Sequence, residues 1–146
     1  MSKSLLLEIV TPERLVLGQD VESVTASGVA GEFTVLPLHV PFLSSLRIGS
    51  IAFRQHGAVH YVFVTGGFAD VTPGRVLILA EVAELAREID LVRARRSRER
   101  AEARLAGQRE DVDFTRAKAA LQRALTRIKL HELSGSGLGS GRPGHP

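Results

Sequence analysis

Arginine is where this sequence concentrates its chemical capacity. Six arginines fall between Arg93 and Arg104, and Arg109, Arg116, Arg123 and Arg127 follow. A guanidinium is planar, permanently charged and able to fork onto two oxygens of a carboxylate or phosphate. Such a cluster suits three ligand classes: a nucleic-acid backbone, an acidic protein surface, or a single phosphate ligand. On a helix, Arg93, Arg96 and Arg100 share one side, and Arg116, Arg123 and Arg127 share another. Glu99 and Glu102 offset part of the charge, and a solvated helix face is the plainest alternative. Single-strand nucleic-acid binders also need aromatic stacking positions, which the preceding half does not offer in a stacking pattern.

Catalytic chemistry finds no such support. The five histidines are scattered. His39 lies between Pro37 and Pro41, His56 and His60 flank a turn, and His131 follows a helical run. No HExxH, GxSxG or Walker-type loop is present, and Gly66-Gly67 is too short to cradle a phosphate. The chain has no cysteine, which removes disulfides, thiolate zinc sites and cysteine nucleophiles, and fits a reducing compartment. The expectation is therefore no catalytic residues and no metal site. There is no apolar run long enough to span a membrane, and Glu8 cuts the apolar stretch Leu5–Leu7 too short for a signal peptide.

The elements that must position the arginines divide the chain in two. Through Leu85 there are 5 Lys+Arg and 8 Asp+Glu, a charge of −3; from Ala86 onward there are 14 and 8, a charge of +6. All aromatics but Phe114 lie in the first part. Its Gly and Pro residues separate short apolar segments: Leu5 to Val10, Asp20 to Ser27, Glu32 to Leu36, Ile48 to Gln55, Ala58 to Thr65, Gly67 to Val71 and Arg75 to Val82. His56-Gly57 and Thr72-Pro73-Gly74 read as tight turns. Many short strands at this spacing predict an all-β sandwich or barrel over residues 1–86.

Residues 87–133 read as a helical hairpin. Asp90 is an N-cap for a helix running to about Ala106, and Gly107 supplies its stop. Asp111 or Asp113 caps a second helix, whose apolar positions Phe114, Ala117, Leu121, Ala124, Leu125 and Ile128 recur at helical spacing. The first helix offers only Ala94, Ala101 and Leu105, interrupted by Arg98. That thin face buries little area, so the hairpin must gain stability by docking onto something. Residues 134–146 have the Gly/Ser/Pro composition of a flexible, disordered tail. Read this far, two functions stand open: an interaction or regulatory subunit, and a free β-sandwich module whose basic hairpin binds nucleic acid.

Three segments then carry a family resemblance. Gly31-Glu32-Phe33-Thr34-Val35-Leu36-Pro37-Leu38-His39-Val40-Pro41-Phe42-Leu43 resembles the G-E-x-G-I-L-P-G-H-A-P-L-L segment of the epsilon subunit of F-type ATP synthases. Val64-Thr65-Gly66-Gly67-Phe68-Ala69-Asp70-Val71 is similar to that family's S-G-G-F-x-E-V segment, and Pro73 to Ala83 to its next strand. The likeness covers about residues 4 to 133, in order. Leu38, Val40 and Phe42 stand where the family usually has Gly, Ala and Leu.

The resemblance implies an N-terminal β-sandwich followed by a two-helix hairpin in a non-catalytic rotor subunit. That subunit would bind the gamma subunit and the membrane c ring, and inhibit ATP hydrolysis at the alpha and beta subunits through its C-terminal helices. It would lie peripherally on the cytoplasmic face of the bacterial inner membrane, in a proton-translocating complex, with no nucleic-acid partner. Residue by residue, the resemblance implies that Gly31 and Glu32 meet the c ring and His39 lies near gamma. Arg116, Arg123 and Arg127, with Lys118 and Lys129, would form the inhibitory surface. Ile89-Asp90-Leu91-Val92-Arg93-Ala94 matches the [I/L]-D-x-x-R-A motif with which some bacterial members bind ATP. It implies a nucleotide site of Glu84, Asp90, Arg93, Arg100, Arg123 and Arg127. No cofactor is required on this reading, and ATP is a candidate regulatory ligand.

Overall fold

The computed structural model describes residues 4–107 and 111–140, with the backbone alone at 111, 112 and 136–140. Nine strands precede two helices, in the order β1 (Leu5–Val10), β2 (Leu15–Val21), β3 (Ser23–Gly28), β4 (Gly31–Val35), β5 (Phe42–Gln55), β6 (Ala58–Thr65), β7 (Phe68–Thr72), β8 (Arg75–Leu79), β9 (Val82–Leu85), α1 (Leu91–Gly107) and α2 (Asp111–Ser140). The expected β-sandwich followed by a helical hairpin is the architecture found.

One sheet runs β2-β1-β8-β7 and ends on the first residues of β5; the other runs β4-β3, then the rest of β5, then β6 and β9. The fourteen-residue β5 therefore belongs to both layers. Inward side chains from each sheet, among them Leu5, Leu7, Ile9, Val71 and Ile78 facing Val24, Ile51, Val62 and Val64, form one core. The period-two alternation of β1, with every second residue buried, is what one covered face demands.

Several turns follow their residue chemistry. His56 and Gly57 link β5 to β6 with φ of 53° and 79°, the two positive angles of a type I′ hairpin turn. Gly67, at φ 106°, admits no side chain, because a Cβ there would fall on the Leu79 carbonyl.

The structure departs from the sequence expectations in three places. The segment Asp20 to Ser27 is two strands, because Val21 completes the pairing with β1 while Ser23 and Val24 open the other sheet. The buried residues Val21 and Val24 are three apart, and that odd step marks the change of sheet. The strand expected at Ile48 begins at Phe42, where the chain leaves Pro41 and pairs with β7. Helix α2 continues to Ser140, through the first part of the expected tail. No proline interrupts it before Pro143. Arg109 and residues 141–146 of the expected tail lie outside the described residues.

Candidate functional site

The most informative region is where α2 meets the sandwich. In β6, Val62 and Val64 enter the sandwich core, so Phe63 points out of the opposite face of the sheet. It is nevertheless fully buried. Phe63, Ala86, Ile89 and Leu130 make a second, smaller cluster, with Ile48, Tyr61 and Leu133 packed against it. The hairpin thus rests on the outside of the sandwich with its own apolar contacts, and the two cores stay separate. Between the helices, Ala94 and Ala101 of α1 and Ala117 and Ala124 of α2 are buried, as small residues at a close helix crossing should be.

Arg127 closes this contact. Its guanidinium carbon lies 4.4 Å from the Phe63 ring centroid. Its Nε donates to Oε1 of Glu84 at 2.9 Å, and Nη2 to Oε2 at 3.4 Å. A cation over an aromatic face and a two-point carboxylate contact act together on a half-buried side chain. Beside it opens a cleft of about 390 Å³, lined by Ile48, Thr65, Gly66, Glu81, Val82, Arg123 and Arg127.

The structure thus brings together three of the six residues the resemblance places around a nucleotide. Arg123 and Arg127 line the cleft, and Glu84 binds Arg127. Asp90 is engaged otherwise: its Oδ1 accepts the Arg93 backbone N–H at 3.0 Å, as an N-cap does. The Arg93 and Arg100 side chains are exposed on α1, and Arg100 donates to Ser97 Oγ at 3.1 Å. Arg116 is exposed, whereas Arg123 and Arg127 face the sandwich. Among the described residues no group of histidine and carboxylate side chains could hold a metal ion. No described helix is long and apolar enough to cross a membrane.

A second region lies around the β3–β4 turn and the loop that follows. Gly28 pairs with Gly31, leaving Val29 and Ala30 at the tip, and Glu32 is exposed beside it. The Val29 N–H donates to the Ser45 carbonyl at 2.9 Å. His39 is half-buried, its Nδ1 donating to the Val40 carbonyl at 2.7 Å and its ring 5.2 Å from that of Phe42. Leu36, Leu38, Val40 and Leu43 are all more than half exposed here. A monomer seldom presents so many large apolar side chains in one stretch. Leu38 has no positive φ, so the glycine usual there is not required by this backbone.

Two family models account for the chain. The β-sandwich domain of the ATP synthase delta/epsilon chain matches residues 4–86, and the long alpha-helix domain of the same chain matches residues 87–132. This chain belongs to the ATP synthase delta/epsilon family. The likeness to epsilon chains extends over nearly their whole length. The ATP synthase epsilon chain of Nitratidesulfovibrio vulgaris (strain DP4) is 56% identical over 130 residues, which cover 89% of this chain and 97% of that one. The epsilon chain of Syntrophobacter fumaroxidans is 51% identical, covering 90% and 98%. That of Desulforamulus reducens is 40% identical, covering 90% and 100%. Among solved structures, a chain of the Euglena gracilis mitochondrial ATP synthase, in a structure of OSCP, F1 and c-ring, superposes with a TM-score of 0.76 at 22% identity, covering 92% of this chain and 82% of that one. A chain of the Tetrahymena thermophila central stalk and c-ring superposes at 0.60 with 14% identity, covering 89% and 97%. At those identities the likeness is one of fold. Nothing in these likenesses supports the nucleic-acid alternative.

Phe63, Ile48 and Leu130, which seat the hairpin, were not singled out from sequence. A signal did exist: Val62-Phe63-Val64 is continuously apolar where a strand with one wet face would alternate, so both faces of β6 had to be covered.

Proposed function

We propose that this chain is the non-catalytic central-stalk subunit of a proton-translocating ATP synthase. It couples the c ring to the catalytic head through gamma, and its hairpin restrains ATP hydrolysis. In this reading it is held peripherally on the cytoplasmic face of the bacterial membrane by the complex alone. The sandwich is the fixed platform: Gly31 and Glu32 in the exposed turn serve the ring, and His39 with its apolar loop serves gamma.

The carrying observation is that the hairpin is docked through contacts separate from the sandwich core, with a half-buried Arg127 between Phe63 and Glu84. Such a berth can be left without unfolding the platform. Release would turn Arg123 and Arg127 outward beside Arg116, giving one basic row on α2 for acidic positions of the beta subunit. The test is charge reversal, Arg123→Glu with Arg127→Glu, in the reconstituted complex. Hydrolysis should rise toward the rate of the complex lacking α2. An unchanged rate would defeat the proposal.

We further propose ATP as a regulatory ligand, not a required cofactor. Support comes from Arg123 and Arg127, one helical turn apart at the cleft, whose guanidiniums can fork onto phosphate oxygens. Glu84 already fills one of those forks and must yield, and Arg93 and Arg100 do not line the cleft. The grip would therefore rest chiefly on α2. Calorimetry with ATP and Mg-ATP on the full chain should show binding that Arg123→Ala weakens more than Arg93→Ala does. Absence of heat from the unsubstituted chain would end this reading.

A further inference from the structure

The register of β5 against β3 breaks sharply at one place. Ala26 pairs with Ile51 and Gly28 with Leu46, so β3 advances two residues while β5 advances five. The four residues Arg47 to Ser50 stand opposite the single residue Ser27 and form a bulge where β5 passes from one sheet to the other. The bulge is fastened closely to β3. Ser27 Oγ both accepts the Ser50 N–H and donates to its carbonyl, each at 3.3 Å. A Cβ at Gly49 would come within 2.7 Å of the Ser27 side chain, so only glycine lets the strands approach this far.

Three successive residues of this segment reach three different places. Leu46 is buried in the sandwich core. Arg47 turns to the β3–β4 turn, its Nε donating to the Gly28 carbonyl at 3.3 Å. Ile48 packs against the cluster of Phe63 and Leu130 that seats α2, and lines the cleft beside Arg123 and Arg127.

We infer that the bulge Arg47–Ser50 mechanically couples the berth of the hairpin to the β3–β4 turn, with Arg47 as the positioning residue of that turn. When α2 is seated, Ile48 is pinned, and Arg47, one peptide along, is held where it can brace Gly28. When α2 leaves, Ile48 loses its partners and the brace slackens. The linkage is short and contiguous: Gly49 and Ser50 are laddered to Val64 and Phe63, while Arg47 and Ile48 lie outside the ladders and have the most freedom to shift. Its use in a rotor rests on the proposed ring contact of Gly31 and Glu32; the coupling itself does not.

Amide exchange of the full chain tests it, read at the Val29 N–H, which is bonded to the Ser45 carbonyl. Two independent substitutions release the hairpin, Leu130→Ala and Arg127→Glu, with exchange in α2 confirming release. Each should speed exchange at Val29 by roughly fivefold, the scale of a modest coupling between sites. Arg47→Ala should produce the same rise alone and leave either release with no added effect, while Arg47→Lys should keep part of the protection. A Val29 amide indifferent to hairpin release, or effects of Arg47→Ala and Leu130→Ala that simply multiply, would overturn the inference. Neither outcome depends on the ring, which is tested separately by cross-linking Glu32→Cys to the c ring in the assembled complex.

Discussion

Arg127 covers Phe63, its guanidinium carbon 4.4 Å from the ring centroid, and the two side chains come from different units of the fold. Phe63 is on the outer face of β6, and Arg127 is in the middle of α2. The aromatic ring needs a lid, and the arginine stem and head supply one that remains charged and can leave for water. A leucine in its place would bury more apolar area but could not bond Glu84.

Phe63→Ala should undock α2 while the sandwich survives. The side chain is fully buried, and truncating such a phenylalanine typically costs about 3 to 5 kcal/mol. Because its neighbours belong to the smaller cluster, exchange should rise in α2 far more than in β1 or β8. Val64→Ala, in the sandwich core, should lower the global unfolding midpoint instead. Equal loss of protection everywhere in the Phe63 variant would contradict two separate cores.

Glu84→Gln should weaken docking by about 1 kcal/mol or less, because both partners are partly exposed and solvent screens the pair. The salt response separates this from a packing change. Docking in the parent chain should loosen as salt is raised, and the variant should lose most of that dependence. Fluorescence energy transfer between a label on β1 and one on α2 would report both.

Two glycines make a matched pair. Gly67→Ala places a Cβ against the Leu79 carbonyl at φ 106° and should cost about 3 kcal/mol or more. Gly74→Ala, at φ 81° with open space around it, carries only the conformational cost, about 1 kcal/mol. Urea denaturation of both variants checks the order, and equal midpoints would contradict the close approach at Gly67.

Asp90→Ala removes the oxygen that accepts the Arg93 N–H and should cost the hairpin about 1 kcal/mol. Asp90→Ser should restore most of it, since serine caps equally well. Restoration by serine would also separate capping from any need for a carboxylate at this position, which calorimetry with ATP on the same variants would reveal.

Much was legible in the residues alone. Regular Gly and Pro punctuation with alternating apolar residues dictates strands, and His56-Gly57 dictates its own hairpin turn, because these are local steric choices. Asp90 is a cap for equally local reasons. The split into a sheet unit and a helix unit follows from where period two gives way to period 3.6. The three ordered segments that carried the family likeness were likewise readable without a fold.

Tertiary structure decided what each face meets. Phe114 and Leu125 fit the apolar period of α2, yet they are 44% and 46% exposed, while Arg127 turns inward. Periodicity states which side chains share a side; it cannot say which side finds a neighbour. The same holds for β5, whose passage between sheets and whose bulge exist because its first residues pair with β7 in one sheet and its later ones with β6 in the other. Glu84 and Arg127 are 43 residues apart, and nothing local announces their pairing. It arises because seating Leu130 beside Phe63 sets the position of the rest of the helix, and the charges meet where that packing leaves them.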